Sequence, residues 1–204
     1  MVPDETGPHR VPPGYFVHGH AIVSRDDRFA DASGRTPPSL RNAADWRRFQ
    51  AALDGAAVAV LGRLGHELHP NAAPDRRRRI VVSASVDGLE RRADAWWWNP
   101  VRCPLEAVLR EAAPGGGTVA VPGGQRVFDL FLAIGYDQFD LARAERVTLG
   151  EGRTLFSILG PDLSADDALR GAGLSPHGPE MLDPQAHVTL TIWRPGGTGR
   201  ITPR

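Results

Sequence analysis

The chain has 204 residues, 41% of them hydrophobic, and this length predicts one domain that buries a core without disulfides or metal ions. Its 24 basic residues, all arginine, balance 24 acidic ones, so composition argues against a nucleic acid or an anionic membrane as partner. The single Cys103 excludes an intrachain disulfide, and no apolar run reaches the ~20 residues that span a bilayer, so a cytoplasmic protein is expected.

The first predicted elements are a strand, a long loop and a helix. Residues 1–14 are rich in proline and are predicted to form a flexible tail, followed by a strand over Tyr15–Ser24. The polar segment Arg25–Arg41 is predicted to be a loop, and loops of that length are often functional lids. A helix is predicted over Asn42–Leu53, with Asn42 as its N-cap.

Strands and helices continue to alternate toward the C-terminus. Strands are predicted at Ala56–Leu61, Arg79–Ser83, Tyr136–Ala142 and His187–Trp193, and helices at Leu64–Leu68 and Pro104–Ala112. A strand or loop is predicted within Asp87–Pro100, and a strand followed by a helix within Thr118–Ala133. The last strand is expected to pair antiparallel with Arg153–Ile158. This alternation predicts a single α/β domain over 15–194, a three-layer sandwich whose mostly parallel sheet has an antiparallel C-terminal edge. Residues 195–204 are predicted to be a second flexible tail.

A glycine pair, Gly123-Gly124, separates the apolar strand from the apolar helix within Thr118–Ala133. Glycine has no Cβ, so a ligand can approach the backbone closely, and the free N–H groups of the following helix favour an anion. A nucleotide phosphate is the usual occupant of such a corner. An ordinary strand-to-helix turn is the alternative, because short glycine motifs often occur without a ligand.

Asp45 is the only acidic residue of the predicted helix Asn42–Leu53, and it shares a helix face with Phe49. One interpretation is a carboxylate beside an aromatic wall that binds a planar, hydrogen-bonding ring. The other is a capping box with Asn42, in which an acid in the first turn also interacts favourably with the helix dipole. The local sequence leaves both interpretations open.

Two arginine motifs are candidate anion ligands. Gly62-Arg63 follows a buried strand and begins a helix, so Arg63 is a candidate phosphate ligand, with a solvated arginine at a turn as the alternative. In the run Arg76–Arg79, one or two side chains are expected to receive a carboxylate or phosphate. The histidines lack a third ligand at metal spacing, so no metal site is predicted.

In their order along the chain, these pieces resemble the dihydrofolate reductase family, including the related reductase domain of riboflavin biosynthesis, from about residue 16 to 194. The segments that carry the resemblance are Ala21–Ala30, Ala44–Phe49, Val58–Arg63, Arg77–Ser83, Val121–Phe128, Tyr136–Ala142 and Gly152–Thr154. The resemblance implies an NADPH-dependent reductase of a pterin such as dihydrofolate, acting as a monomer or homodimer on a small molecule. The alternatives are a reductase of another heterocycle, such as a riboflavin precursor, and an NADPH-binding protein with weakened catalysis.

The resemblance implies roles for four residues at the substrate. Asp45 falls on the family's active-site carboxylate, which binds the pterin and promotes protonation of its ring. Phe49 falls on the aromatic residue that flanks the substrate. Arg77 matches the arginine that receives the glutamate tail of folate, with Arg76 as an equal candidate. Ala142 stands where the family has a threonine that hydrogen-bonds the carboxylate through water, and this loss favours the NADPH-binding protein with weakened catalysis.

The resemblance also implies a binding site for NADPH. Arg63, after Gly62, matches the arginine that meets the adenosine 2′-phosphate, and Ser83 ends a strand near that phosphate. The turn that holds the pyrophosphate matches Gly123, Gly124, Gln125, Arg126 and Val127, and Phe128 takes the place of an aromatic residue beside the nicotinamide.

Overall fold

The computed structural model describes residues 9–71 and 76–196, and these ranges contain eleven strands and five α-helices. The strands are β1 (Tyr15–Ser24), β2 (Arg28–Ala30), β3 (Val58–Gly62), β4 (Arg79–Val82), β5 (Leu89–Arg91), β6 (Trp96–Trp98), β7 (Gly117–Gly123), β8 (Gln138–Ala144), β9 (Arg153–Thr154), β10 (Leu174–Asp183) and β11 (Val188–Pro195). The helices are α1 (Ala43–Asp54), α2 (Arg63–Leu68), α3 (Leu105–Ala112), α4 (Gln125–Ile134) and α5 (Ala165–Gly171), with a 3-10 turn at Pro38–Leu40.

Nine of these strands form one sheet in the order β10-β11-β8-β1-β7-β3-β4-β6-β5. The neighbours from β8 to β6 are parallel, whereas β11 runs antiparallel to β8, β10 to β11, and β5 to β6. The predicted fold class, a mostly parallel sheet with an antiparallel C-terminal edge, is confirmed. The predicted pairing of the last strand is wrong, because β11 pairs with β8 and β10 while β9 pairs with β2.

The partner β10 was missed because its sequence does not look like a strand. Residues 175–181 are all exposed, so no apolar alternation marks the segment. It also contains Pro176 and Pro179, which lack the N–H that an interior strand donates and are tolerated at a sheet edge. Its position at the edge therefore explains both the composition and the missing pattern.

The two faces of the sheet differ in polarity. Alternate residues of β1, among them Val17, Ala21 and Val23, point into the main core, where they pack with residues of α3, α4 and α5. The intervening residues His18 and His20 lie on the opposite face, where α1 covers β1 and β8. The sheet thus lies between two helical layers, and the layer under α1 carries the polar side chains.

The predicted N-terminal tail is partly packed. The backbone N–H of Leu105 donates to His9 Nδ1 over 3.3 Å, the His9 ring meets the Trp98 ring edge-on at 5.6 Å, and Val11 packs against the core. Residues 1–8 and 197–204, the rest of the two predicted tails, lie outside the described residues. Among the helices of the described ranges, none combines the length and the apolar composition needed to cross a membrane.

The segment predicted as a loop, Arg25–Arg41, contains β2 and is anchored through Asp26. The Asp26 carboxylate accepts hydrogen bonds from the Ser24 hydroxyl at 2.6 Å and from the backbone N–H groups of Leu149 and Gly150 at 3.1 and 2.9 Å. Burial raises the pKa of Asp26, but these hydrogen bonds outweigh it and lower the pKa to about 2. The ionised Asp26 therefore fastens the β1–β2 turn to the segment after β8.

We expect Asp26→Asn to lower stability at neutral pH and to lose that effect in acid. Because the pKa is lowered in the folded protein, the stabilisation is present above the ordinary value of 3.8 and is lost as the pH falls toward 2. Partial exposure limits the difference from the wild type to about 1 to 2 kcal/mol at pH 7. Urea unfolding at several pH values measures it, with the exposed Asp162→Asn as a control that should follow the wild type throughout. A difference that stays constant down to pH 2 would contradict the assignment.

Candidate functional site

The glycine pair adopts backbone conformations that strongly favour glycine. Gly123, at the end of β7, has φ 110°, and Gly124 has φ 57° and ψ 149° immediately before α4. A Cβ added to Gly123 would lie 2.5 Å from Cε2 of Phe128, whereas one added to Gly124 would meet no described atom within 4 Å. Packing therefore requires glycine at position 123, while the Gly124 backbone is open to an approaching ligand.

Several predicted cofactor residues come together where the parallel strands end, at the carboxyl-terminal side of the sheet. Register pairs Leu61 with Gly123 and Gly62 with Val82, so the carboxyl ends of β7, β3 and β4 are adjacent. Ser83 immediately follows β4. Ligands of open α/β sheets bind outside the carboxyl ends of the parallel strands, which is where these residues lie.

Arginine side chains and helix N–H groups make this edge attractive to an anion. Arg63 is the first residue of α2 and its side chain is 60% exposed. Among the described residues its one ion pair is a long contact of 3.5 Å with Glu67. Arg126, in the first turn of α4, is also exposed. The Gln125 side chain donates to the carbonyl and hydroxyl oxygens of Thr154 at 2.9 Å and so holds the start of α4 in place. The first N–H groups of α4 and two cations thus face the same edge.

Two residues of the predicted cofactor set are core residues. Val127 is 2% exposed and Phe128 is 1% exposed. The Phe128 ring packs edge-on against Phe29 at 5.7 Å and also contacts Phe139 and Phe156. The structure therefore places Phe128 in the core rather than on a ligand-facing surface, because the apolar face of α4 is turned inward.

Asp45 faces the sheet and not the N-cap. The Asn42 side chain alone caps α1, accepting from the backbone N–H groups of Ala44 and Asp45 at 3.0 Å. The Asp45 carboxylate, 9% exposed, lies 3.1 Å from Nε2 of His20 on β1. The capping-box interpretation is therefore wrong for this carboxylate. Phe49 packs its half-buried ring against His20 at a centroid distance of 5.2 Å, as expected for an aromatic neighbour of Asp45.

A second polar cluster, missed in the sequence, lies beside this pair. It consists of His18, Arg48, Gln138 and Asp140. Asp140 is 3% exposed and lies 3.2 Å from His18 Nε2, 2.7 Å from Gln138 Nε2 and 3.0 Å from Arg48 Nη2. Burial raises the pKa of Asp140, but the hydrogen bonds from His18, Gln138 and Arg48 and the charge of His18 outweigh it and hold the pKa well below its usual range.

The sequence did contain a signal for these residues. His18 and His20 alternate along β1, and Gln138 and Asp140 alternate along β8, in register with each other. Polar residues at a spacing of two mark one face of a sheet. No three His, Cys, Asp or Glu residues within 9–71 and 76–196 are placed to hold a metal ion.

The two remaining predicted substrate residues are engaged elsewhere. Arg77 binds the second half of α1, with Nη2 2.7 Å from Asp54 Oδ1 and Nη1 2.9 Å from Gln50 Oε1. Ala142 is fully buried in an apolar cluster with Leu40, so the structure does not place it on an exposed surface near Asp45. His20, two positions before the β1 partner of Ala142, is the residue that contacts the carboxylate.

A cavity of about 390 Å³ lies away from these residues. It is lined by residues of the β1–β2 turn, β9 and the segment before α5, namely Asp26, Asp27, Arg28, Thr154, Leu159, Gly160, Pro161, Leu163 and Ser164. None of the residues predicted to bind cofactor or substrate lines it. Neither Asp45 nor the glycine pair lines it, although its Thr154 accepts the hydrogen bonds of Gln125.

Solved structures resemble this chain although no family model and no curated protein sequence matches it. A dihydrofolate reductase from Enterococcus faecalis complexed with NADP(H) has 15% identity, a TM-score of 0.62 and coverage of 88% of this chain and 95% of its own. A putative riboflavin biosynthesis protein from Shewanella sp. PV-4 has 17% identity, a TM-score of 0.58 and coverage of 88% and 98%. A Thermotoga maritima diaminohydroxyphosphoribosylaminopyrimidine deaminase/5-amino-6-(5-phosphoribosylamino)uracil reductase has 18% identity and a TM-score of 0.56, over 89% of this chain and 57% of its own. The chain therefore has the dihydrofolate reductase-like fold.

Proposed function

We propose that this chain is an NADPH-dependent reductase of a planar nitrogen heterocycle, with a pterin such as dihydrofolate as the first candidate substrate. The observation that carries the proposal is the convergence of Gly62, Ser83 and the glycine pair at the carboxyl ends of three adjacent parallel strands. The similar Enterococcus faecalis enzyme is described as a complex with NADP(H), which supports a dinucleotide at this edge.

The residues at this edge fit the charged parts of NADPH. The open backbone at Gly124 and the first N–H groups of α4 suit the pyrophosphate, and Arg63 suits the 2′-phosphate. Bound NADPH would supply a hydride to the substrate. The chain contributes the geometry, because holding donor and acceptor carbons together converts a bimolecular step into a unimolecular one.

The proposed substrate side adjoins the proposed cofactor side. Register pairs Gly19 with Val121, so His20 directly follows the last paired residue of β1, and Val121 lies two residues before the glycine pair. Asp45 lies over His20, and the Phe49 and Trp46 rings lie on the same helix, with Trp46 57% exposed. A planar ring bound against these aromatic residues would therefore lie near the end of β7.

A riboflavin precursor is the second candidate substrate. It is supported by two of the similar structures, a putative riboflavin biosynthesis protein and a 5-amino-6-(5-phosphoribosylamino)uracil reductase. A substrate of that kind carries a phosphate and no glutamate tail. Arg77 is paired with Asp54 and Gln50, so the phosphate, like the glutamate tail of folate, would compete with these partners for its guanidinium.

The oxidation of NADPH, measured with dihydrofolate and in parallel with 5-amino-6-(5-phosphoribosylamino)uracil, tests the proposal. Turnover of either compound supports a reductase and selects between the two substrate classes. Tight NADPH binding by calorimetry without turnover of either compound would indicate the binding protein with weakened catalysis. If NADPH does not bind, the proposed function is wrong.

We expect Arg63→Ala to weaken NADPH binding roughly 10- to 100-fold, because a charge-assisted hydrogen bond to phosphate contributes about 1.5 to 3 kcal/mol. The affinity for NADH, which has no 2′-phosphate, should change by less than about 3-fold on the same reasoning. Calorimetric titration of both cofactors measures the difference. The control is Arg110→Ala on α3, whose exposed side chain pairs only with Glu106 among the described residues. Equal affinity of the unmodified protein for NADPH and NADH would contradict the assignment.

A further inference from the structure

His20 is a buried imidazole with one nitrogen that the fold does not satisfy. The residue is 6% exposed between β1, β8 and α1, and its Nε2 lies 3.1 Å from Oδ1 of Asp45. Its Nδ1 is buried and has no hydrogen-bond partner among the described residues. Buried polar atoms are nearly always hydrogen-bonded, so a hydrogen-bonding ligand is the expected partner of Nδ1.

The charges around His20 fall into two groups. The titratable and charged side chains that face it are Asp45 and Arg48 from α1, Asp140 from β8 and His18 from β1. Asp140 is balanced by Arg48 and hydrogen-bonded by His18 and Gln138. Asp45 has His20 as its only side-chain partner in the described ranges. His20 and Asp45 therefore form a separate pair.

The chemistry of this pair determines where its mobile proton resides. An ionised carboxylate only accepts hydrogen bonds, so Nε2 of His20 carries the hydrogen that it donates to Asp45. In the neutral imidazole, Nδ1 then has a free lone pair. A proton added at Nδ1 leaves the bond to Asp45 intact, and the carboxylate stabilises the resulting imidazolium. The pair can thus hold one transferable proton at Nδ1.

We propose that His20 exchanges the proton with the substrate through Nδ1, and that Asp45 acts through His20 by holding its tautomer and stabilising the imidazolium. This inference rests on the proposed reductase function. With dihydrofolate as substrate, NADPH would supply a hydride to the carbon of the ring C=N bond and become NADP⁺, the Nδ1 proton would go to the ring nitrogen, and the neutral imidazole would take a new proton from solvent. Phe49 packs against the imidazole, so a planar substrate bound against Phe49 lies next to it.

A second histidine provides a matched comparison. His66 on α2 is also 6% exposed, its Nε2 lies 3.0 Å from Asp94 Oδ2, and its Nδ1 is likewise buried without a described partner. The carboxylates differ, because the Asp94 side chain is 44% exposed and that of Asp45 is 9% exposed. Water therefore screens the attraction between His66 and Asp94, whereas His20 and Asp45 interact in surroundings of low dielectric constant.

Nitrogen-15 NMR of the imidazoles in the unliganded protein tests the tautomer without any turnover, with His20 assigned by the loss of its signals in His20→Gln. We expect a protonated Nε2 and an unprotonated Nδ1 at high pH, with Nδ1 taking up the proton on acidification. In Asp45→Asn the preference for that tautomer should weaken, because an amide can also donate to Nε2 whereas a carboxylate only accepts. A Nδ1–H tautomer in the unmodified protein would overturn the inference.

Kinetics of His20→Gln test the role in the reaction. The glutamine amide can still donate to Asp45 but has no titratable nitrogen, so kcat should fall roughly 10²- to 10⁴-fold and lose its pH dependence, with NADPH affinity unchanged. His66→Gln should keep the wild-type kcat and pH profile. Wild-type kinetics in His20→Gln would overturn this inference and leave the reductase proposal standing. Failure of the wild type to bind NADPH, or binding without turnover of either substrate, would overturn both.

Discussion

Replacing Asp45 with asparagine should lower turnover roughly 10²- to 10⁴-fold while NADPH affinity stays unchanged. Asparagine keeps the shape of the side chain and an oxygen that accepts from His20 Nε2, so the hydrogen bond of 3.1 Å can persist. The negative charge that stabilises a protonated imidazole is lost. The effect should appear in kcat rather than in cofactor binding, because Asp45 lies on α1 and the glycine pair lies at the end of β7.

A matched variant separates this effect from helix stability. Asn42→Ala removes the cap that accepts from two N–H groups and the bond to Asp183, and it should cost about 1 to 2 kcal/mol of unfolding free energy with turnover per folded molecule unchanged. Asp45→Asn should show the reverse pattern, since Asn42 still caps α1 and a first-turn charge contributes only about 0.3 to 1 kcal/mol. An Asp45→Asn protein with full turnover would exclude the carboxylate from the mechanism.

Gly123→Ala should destabilise the protein by about 2 to 6 kcal/mol, more than Gly124→Ala. The new Cβ would lie 2.5 Å and 2.6 Å from two ring carbons of Phe128, which is held in the core by Phe29, Phe139 and Phe156. Overpacking of this kind costs about 1 to 3 kcal/mol, and φ 110° adds backbone strain of about 1 to 3 kcal/mol. Denaturant unfolding at neutral pH measures the loss.

Two controls assign this loss to its causes. Gly124→Ala introduces strain but no clash, so it should cost about 1 to 3 kcal/mol and should weaken NADPH binding, because its Cβ faces the proposed pyrophosphate site. Combining Gly123→Ala with Phe128→Leu removes ring atoms from the contact, and a double-mutant cycle should show favourable coupling of about 1 kcal/mol or more. Equal destabilisation by the two glycine variants would contradict the packing argument.

Local features of the fold were predictable because their causes are local. β1 was predicted with its observed bounds, and Asn42 caps α1 as predicted, since an N-cap is a contact between residues two or three positions apart. The glycine pair was identified because a strand-to-helix turn with positive φ requires glycine whatever surrounds it. The alternation of predicted strands and helices along the chain indicated a mostly parallel sheet, because a strand–helix–strand unit is also recognisable within a short stretch of sequence.

Only the tertiary structure decided which elements and side chains meet. One of the two partners of β11 is β10, an exposed edge strand with two prolines, and no pattern in its own sequence predicts that pairing. His20 and Asp45 are 25 residues apart, and the orientation of His20 toward α1 depends on the strand's register, because a slip of one residue reverses every side chain. The sequence by itself determined β1, the N-cap of α1 and the glycine corner, but not β2, α5 or β10. The burial of His20 against Asp45 followed from packing α1 onto the polar face of β1 and β8, which is a property of the assembled sheet.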